Sequence, residues 1–321
     1  MKEHAEKFFI TKIAMIIFMT SILVLAAVLV GAVSTASAGT IKADVVAIDQ
    51  VLVYNRLGAF NPAGMIYALR RDVVHSEPGG ACDGQFEYTS GCGTLQPGKV
   101  RLRDDKRPRP LVLRANEGDV LEISFQNLLS PQPLTNANNT PVGIGVPPGQ
   151  TEQPYTRTAS IHVNGMQLVG GIGSDGSNVG ANSSSLVGPG GSTTYALYAE
   201  KEGAYGFYSM GASLLGEGNT GSIASGLMGV VNVEPAGSRW YRSQVTQAEL
   251  TLATTGTTED TGHPIVDYEA TYPGVTYKGA ALPVLNILNS GNEIVHGDIN
   301  AVIIEPTGGS LPTTTTYPNR S

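Results

Sequence analysis

Residues able to hold a metal or act as a nucleophile are scarce here: five histidines and two cysteines among 321 residues. One histidine stands where metal chemistry is plausible on spacing. In ASIHVNGMQLVGG, residues 159–171, His162 lies between β-branched Ile161 and Val163, an alternation that predicts a strand, and a Gly-rich loop follows. Neutral imidazole suits copper, and alternate strand residues face the same way, so a second histidine two places on would complete a chelating pair. Asn164 occupies that place. His162 therefore reads either as a residual ligand or hydrogen-bonding group at an interface, or as a partly buried strand histidine satisfied by backbone or by Asn164. One imidazole alone gives copper too few ligands to hold it.

The other candidates carry less. Met65, Met166, Met210 and Met228 could offer thioethers to copper(I), but scattered over separate strands and loops they read as core filler. Asp175 and Asn178 in GSDGSN could offer oxygens to calcium; without a dense acidic run they read as an Asx-rich turn. GGIGSDG has the glycines of a phosphate loop but no following helix to present its amides. His75, next but one to Glu77, reads as a solvated surface histidine. His263 and His296 have no cysteine at type 1 copper spacing. No Gly-x-Ser-x-Gly occurs. Cys82 and Cys92 fit no zinc or iron spacing, and in an exported chain they read as one disulfide closing a Gly-rich loop.

The elements that must position these residues are strands. No long stretch past residue 40 places apolar residues at helical spacing, and short alternating runs recur between Gly, Pro, Asn and Ser-rich loops, so the chain is expected to be all-β, a two-sheet Greek-key sandwich. The strongest signal is RPLVLRANEGDVLEISFQNLL, from Arg109, which reads as a hairpin about a turn at NEGD. A net charge of -7 and the absence of any cluster of Lys and Arg free of acids argue against nucleic acid as a partner.

At the N-terminus, lysines precede the uncharged run from Ile13, and Ala-Ser-Ala at 36–38 offers a peptidase site before Gly39. Residues 1–38 thus read as a signal peptide or, uncleaved, as a membrane anchor through residues 13–33. Either way the folded part is exported. The divisions expected are an extension over 39–108 with the disulfide loop, a sandwich domain over 109–235, and a connecting region over 236–321 that ends in the linker-like LPTTTTYPNRS.

Four segments in order resemble the first plastocyanin-like (cupredoxin) domain of a multicopper oxidase. PLVLRANEGDVLEISFQNLL resembles its opening hairpin, and SIHVNGM occupies the place of its His-x-His-Gly motif. GPGGSTTYALYAEKEGAYGFYSMGA resembles the strands that end in His-Ser-His, and GLMGVVNVEP its closing strand. The flanks AFNPAGMIYALRRDVV, VRLRDDKRPRPLVLR and WYRSQVT look like the large multidomain oxidases that include manganese-oxidising enzymes. The resemblance implies a cupredoxin-like sandwich. It also implies an activity of the full-length form: oxidation of a substrate or metal ion by dioxygen, through a type 1 copper and a trinuclear cluster held by His-x-His pairs.

This chain departs from that pattern. His162 matches the first histidine of one motif, Asn164 replaces its second, Tyr208 and Met210 replace both histidines of the other, and no cysteine follows Cys92. The expectation is a non-catalytic N-terminal domain, a truncated form that packs against further cupredoxin domains or subunits. It is expected to bind no copper by itself. A metal-free cell-surface sandwich with a binding or structural role is the alternative from another class. An independent copper carrier would need ligands the sequence lacks.

Overall fold

A computed structural model describes residues 39–76, 94–132, 156–212 and 222–304. The N-terminal apolar segment, the Cys82 and Cys92 loop and the C-terminal Pro/Thr stretch lie outside them. In chain order the first strands are β1 (Thr40–Asp49), β2 (Leu52–Val53), β3 (Phe60–Asn61), β4 (Met65–Leu69), β5 (Val73–His75) and β6 (Val100–Leu102). Then come β7 (Leu111–Asn116), β8 (Val120–Asn127), β9 (His162–Val163), β10 (Gln167–Leu168), β11 (Ser192–Tyr198), β12 (Gly203–Tyr208) and β13 (Met228–Glu234). The C-terminal part holds β14 (Arg239–Arg242), helix α1 (Gln247–Leu252), β15 (Thr254–Thr257), β16 (Pro264–Val266), β17 (Thr271–Tyr277), β18 (Ala280–Pro283) and β19 (Ala301–Ile304). The all-β expectation is borne out.

Two sheets form the sandwich. One has the order β10-β11-β8-β1-β4 and the other β7-β13-β12-β9. The pairs β1 with β8 and β7 with β13 are parallel; every other neighbour within these sheets is antiparallel. Between the sheets β8 supplies Leu121, Ile123 and Phe125, each no more than 1% exposed, and β12 and β13 answer with Phe207, Val231 and Val233. Alternation at a period of two puts these side chains on one face, and burying each such side chain fully stabilises by about 1.5–3 kcal/mol.

β1 reads differently because it is covered on both faces. Ala43, Val45 and Ala47 face the main core, while Val46 and Ile48 enter a second cluster with Ile66, Val73, Leu95 and Leu128. A strand covered on both sides becomes a continuous apolar run, and Val-Val-Ala-Ile is one. Residues 40–49 and 65–69, assigned from sequence to an N-terminal extension, are thus strands of the five-stranded sheet.

The strongest sequence signal also needs correcting in its pairing. β7 and β8 are strands, but they do not pair: β7 lies beside β13 and β8 beside β1 and β11. The turn between them crosses from one sheet to the other. Asp119 Oδ2 accepts from the Asn116 amide, the Asp119 amide donates to the Asn116 carbonyl, and Gly118 takes φ +91. The amides of Glu117 and Gly118 then donate to Glu234 and Ala199, one at the end of each sheet. A hairpin and a sheet-crossing turn share the same local chemistry; only distant partners distinguish them. The Asn164-Gly165 turn likewise crosses between sheets, from β9 to β10.

Residues 236–304 fold onto the same sandwich. β14 pairs with β19, and Tyr241, Tyr272, Tyr277, Leu282, Val284 and Val295 form a third cluster. The Lys42 amide donates to Asn292 and the Ile294 amide to Lys42, so this segment is stitched to β1, and Trp240, Ile287 and Ile294 join the main core. α1 begins at a capping box, Thr246 with Glu249, a T-x-x-E signature present in the sequence.

Candidate functional site

β9 and β12 bring the two motif segments together. His162 is directly opposite Tyr208 and Val163 opposite Phe207. Phe207 and Val163 point into the core, so by alternation His162 and Tyr208 share the outer face of the four-stranded sheet. Their rings meet edge to face, with centroids 5.6 Å apart at 66°. The middle residue of the second motif, Ser209, is fully buried, and its hydroxyl accepts from the amides of Ser160 and Gly211. Ser160 Oγ accepts in turn from the Met210 amide, and Tyr67 donates to the Ser160 carbonyl. Serine is thus the tie between the two motif segments.

His162 is held from the loop that follows. Its Nδ1 lies 2.7 Å from the Asp175 carbonyl oxygen. A carbonyl only accepts, so Nδ1 carries a proton in this contact. Asp175 Oδ1 is also 3.5 Å from Nδ1, while its Oδ2 accepts from Ser177. The satisfying group is therefore the Asp175 backbone and not Asn164, whose side chain is exposed and whose amide donates to Gly206. Gly176 makes this approach feasible: it sits at φ +68, and a Cβ there would overlap the Ile161 carbonyl and come within 2.9 Å of the His162 nitrogen.

These residues do not fit a copper. His162 and Asp175 are two potential donors where a copper site takes three or more, Tyr208 fills the facing position, and among the described residues no group of three His, Cys, Asp or Glu could hold a metal ion. The remaining candidates are dispersed. Met65 and Met166 are core residues, Met210 is half-buried and Met228 is 40% exposed. Asn178 is exposed. His75 is half-buried in β5 opposite Val100, so it is a strand residue rather than a freely solvated one. His263 is exposed. Cys82 and Cys92 lie outside the described residues.

Sequence reasoning missed a buried polar cluster in the C-terminal segment. Arg242, with 9% of its side chain exposed, donates 2.8 Å to Glu249 and 3.0 Å to the Val284 carbonyl, and its Nε is 3.3 Å from Asp298. Burial pushes the Glu249 carboxyl up, but hydrogen bonds from Thr246, Arg242 and Tyr272 outweigh it and bring it down to about 2. Burial first, then the bond it donates to Glu249, raises the Tyr272 hydroxyl to about 12. His296, 3% exposed, bonds through Nε2 to the Pro283 carbonyl at 2.8 Å, and its Nδ1 has no partner. Burial first, then the cations Arg242, Arg71 and Lys106, hold it well below the ordinary histidine range. The T-x-x-E box was the one local signal here; Asp298, Tyr272 and His296 arrive only through the fold.

Protein-family models and curated proteins give no match to the chain. Solved structures do resemble it. A multi-copper oxidase from Pseudomonas thermotolerans is 19% identical with TM-score 0.32, covering 62% of this chain and 31% of that one. A copper nitrite reductase from Nitrosomonas europaea is 15% identical with TM-score 0.31, covering 62% and 42%. A further multicopper oxidase is 21% identical with TM-score 0.30, covering 61% and 43%. The chain spans less than half the length of each of these structures. Its own strand order and registers, two sheets with the parallel pairs β1 with β8 and β7 with β13, make the fold an all-β sandwich of a five-stranded and a four-stranded sheet.

Proposed function

We propose that this chain is a non-catalytic N-terminal cupredoxin-like domain of an exported multicopper oxidase. The full-length form couples oxidation of a metal ion or another substrate to dioxygen reduction, with further domains or subunits supplying the copper ligands. The observation that carries this reading is the direct opposition of His162 and Tyr208 across β9 and β12. Two segments that resemble copper motifs in sequence lie side by side, with a tyrosine where the second would offer an imidazole. In this chain those side chains position strands; no step of the oxidation runs through them.

An apolar groove supports a role within a larger assembly. Val51, Val53, Tyr54 and Met228 are 46%, 71%, 60% and 40% exposed, and they line it together with Pro108 and Pro110. An exposed contiguous patch of this kind is what a packing partner would cover. Export rests on the N-terminal segment. The manganese-oxidising subgroup is the finer form of the same reading and rests on the flanking segments alone.

A metal-free cell-surface sandwich is the second reading, favoured by the pairing of His162 with a backbone carbonyl. One measurement separates them, and another tests both. Dioxygen uptake by the purified chain with manganese(II) or a phenol should be nil under both. The DNA downstream of codon 321 should encode more cupredoxin-like sequence, with His-x-His pairs and a late Cys-His, under the first only. Finding none, or finding uptake by this chain alone, would overturn the oxidase-domain reading.

A further inference from the structure

We propose that residues 295–299 form an acid-released strap, which closes the side of the sandwich while His296 is neutral and lets go when that imidazole takes a proton. The strap runs across the gap between one edge strand of each sheet, β4 and β7. Gly297 lies over both: a Cβ there would come within 3.2 Å of Leu111 Cδ1 and 3.7 Å of Leu69 Cδ1, so release uncovers these two core residues. Residues 295–298 have no regular secondary structure, and arginine side chains hold their carbonyls. Arg71, just after β4, donates to Val295, and Arg109 donates to Gly297 at 3.2 Å. Arg114, in β7, donates to Asp298 at 3.3 Å and to Ile299 at 2.8 Å.

His296 is buried within this strap. Its Nε2 faces the Pro283 carbonyl of β18, which only accepts, so Nε2 carries the proton of the neutral ring and Nδ1 is the site for a second one. Nδ1 is shielded and has no acceptor within reach. A proton there creates a buried N–H without a partner, and a charge beside three cations: Arg71 after β4, Lys106 from the 103–106 turn and Arg242 of β14. The carboxylates on the same elements are already engaged. Asp72 faces Arg71 at 3.6 Å and Lys106 at 3.5 Å, and Asp105 faces Arg103 at 2.7 Å. Glu249 and Asp298 face Arg242 at 2.8 and 3.3 Å. β17 adds the Tyr272 hydroxyl, neutral below pH 7 and donating to Glu249.

The closed strap therefore has no place for an imidazolium. Released into water, the same ring takes a proton at its ordinary 6.5. A group that protonates only in the open form favours opening as pH falls below that value, here by about 25-fold between pH 7 and pH 5. The device does not depend on the copper reading, since no residue around His162 takes part in it.

The test is native-state hydrogen exchange on the whole chain at pH 7 and pH 5, corrected for intrinsic exchange. It is read at the Val295 amide, which donates to the Ile287 carbonyl, and at the Leu121 and Ile123 amides of β8. Between pH 7 and pH 5 Val295 should lose about 25-fold in protection. At pH 5 it should exchange at least about ten-fold faster than β8, because the strap opens while the sandwich stays folded. In His296→Gln, which can still donate to Pro283 but does not titrate, Val295 protection should change by less than about two-fold between the two pH values. Should that variant not fold, the wild-type imidazole decides: the closed form should keep a neutral His296 signal down to pH 5 while a separate protonated signal grows. A common exchange rate for Val295 and β8, a Val295 protection independent of pH, the full pH dependence retained in His296→Gln, or a His296 that titrates near its ordinary value with Val295 still protected would each overturn the strap.

Discussion

The outer face around His162 and the cluster around Arg242 differ in how they are built. His162 lies in a segment that resembles a copper motif, yet one backbone carbonyl and one tyrosine edge account for its surroundings. Arg242 lies in a segment read as a connector, yet it bridges Glu249, Asp298 and the Val284 carbonyl with its side chain almost wholly buried. Motif resemblance marks where a fold places strands. The sites at which charge is taken out of water, and where loss of a group costs most, follow from packing and here fall elsewhere.

The largest expected effect is at Arg242. Arg242→Met leaves Glu249 without its counter-charge and Asp298 with only the long pair to Arg109, and breaking a buried pair from one side costs about 3–5 kcal/mol. Urea unfolding of wild type and variant measures it. A loss under ~1 kcal/mol would put the two regions on a par.

Next is Gly176→Ala. A left-handed residue with a side chain costs about 1–2 kcal/mol, and the overlap with the Ile161 carbonyl adds about 1–3 kcal/mol of overpacking. The same melts should show it, and the imidazole proton signal of His162 should shift as its carbonyl partner is displaced.

The acid limb of stability gives a third. Glu249 sits at about 2 in the folded protein against an ordinary 4.5. A depressed carboxylate stabilises above its unfolded value and loses that contribution as pH falls through the folded value, here between about 4.5 and 2. His296 acts earlier in the same descent: it is held neutral in the fold and charges readily when unfolded, so stability should begin to fall below its ordinary 6.5. Glu249→Gln should flatten the lower window only, as read by thermal melts across pH.

The smallest effect is at His162. His162→Phe removes one hydrogen bond on a half-buried surface and keeps the ring contact with Tyr208, so about 1 kcal/mol or less is expected from melts.

Much of the sandwich was legible because alternation survives where one face is buried: Leu121, Ile123 and Phe125 declare β8. β1 was half legible, since cover on both faces replaces alternation with a run of apolar residues. The pairing of β7 and β8 was misread because Asn116 to Asp119 makes the same local bonds in a hairpin as in a crossing between sheets. His162 was legible as a strand histidine; that Asp175 would hold it was not, since the loop geometry depends on how Gly176 packs against β9. The Arg242 cluster left almost no local trace, because its partners come from separate hairpins and loops.

Copper loading of the purified whole chain, followed by desalting, metal analysis and electron paramagnetic resonance, is the most direct test of the proposal that this sandwich holds no copper by itself. Well under one equivalent should remain, with no blue band and no nitrogen hyperfine structure. One tightly held copper per chain, with nitrogen coupling that disappears in His162→Gln, would contradict it.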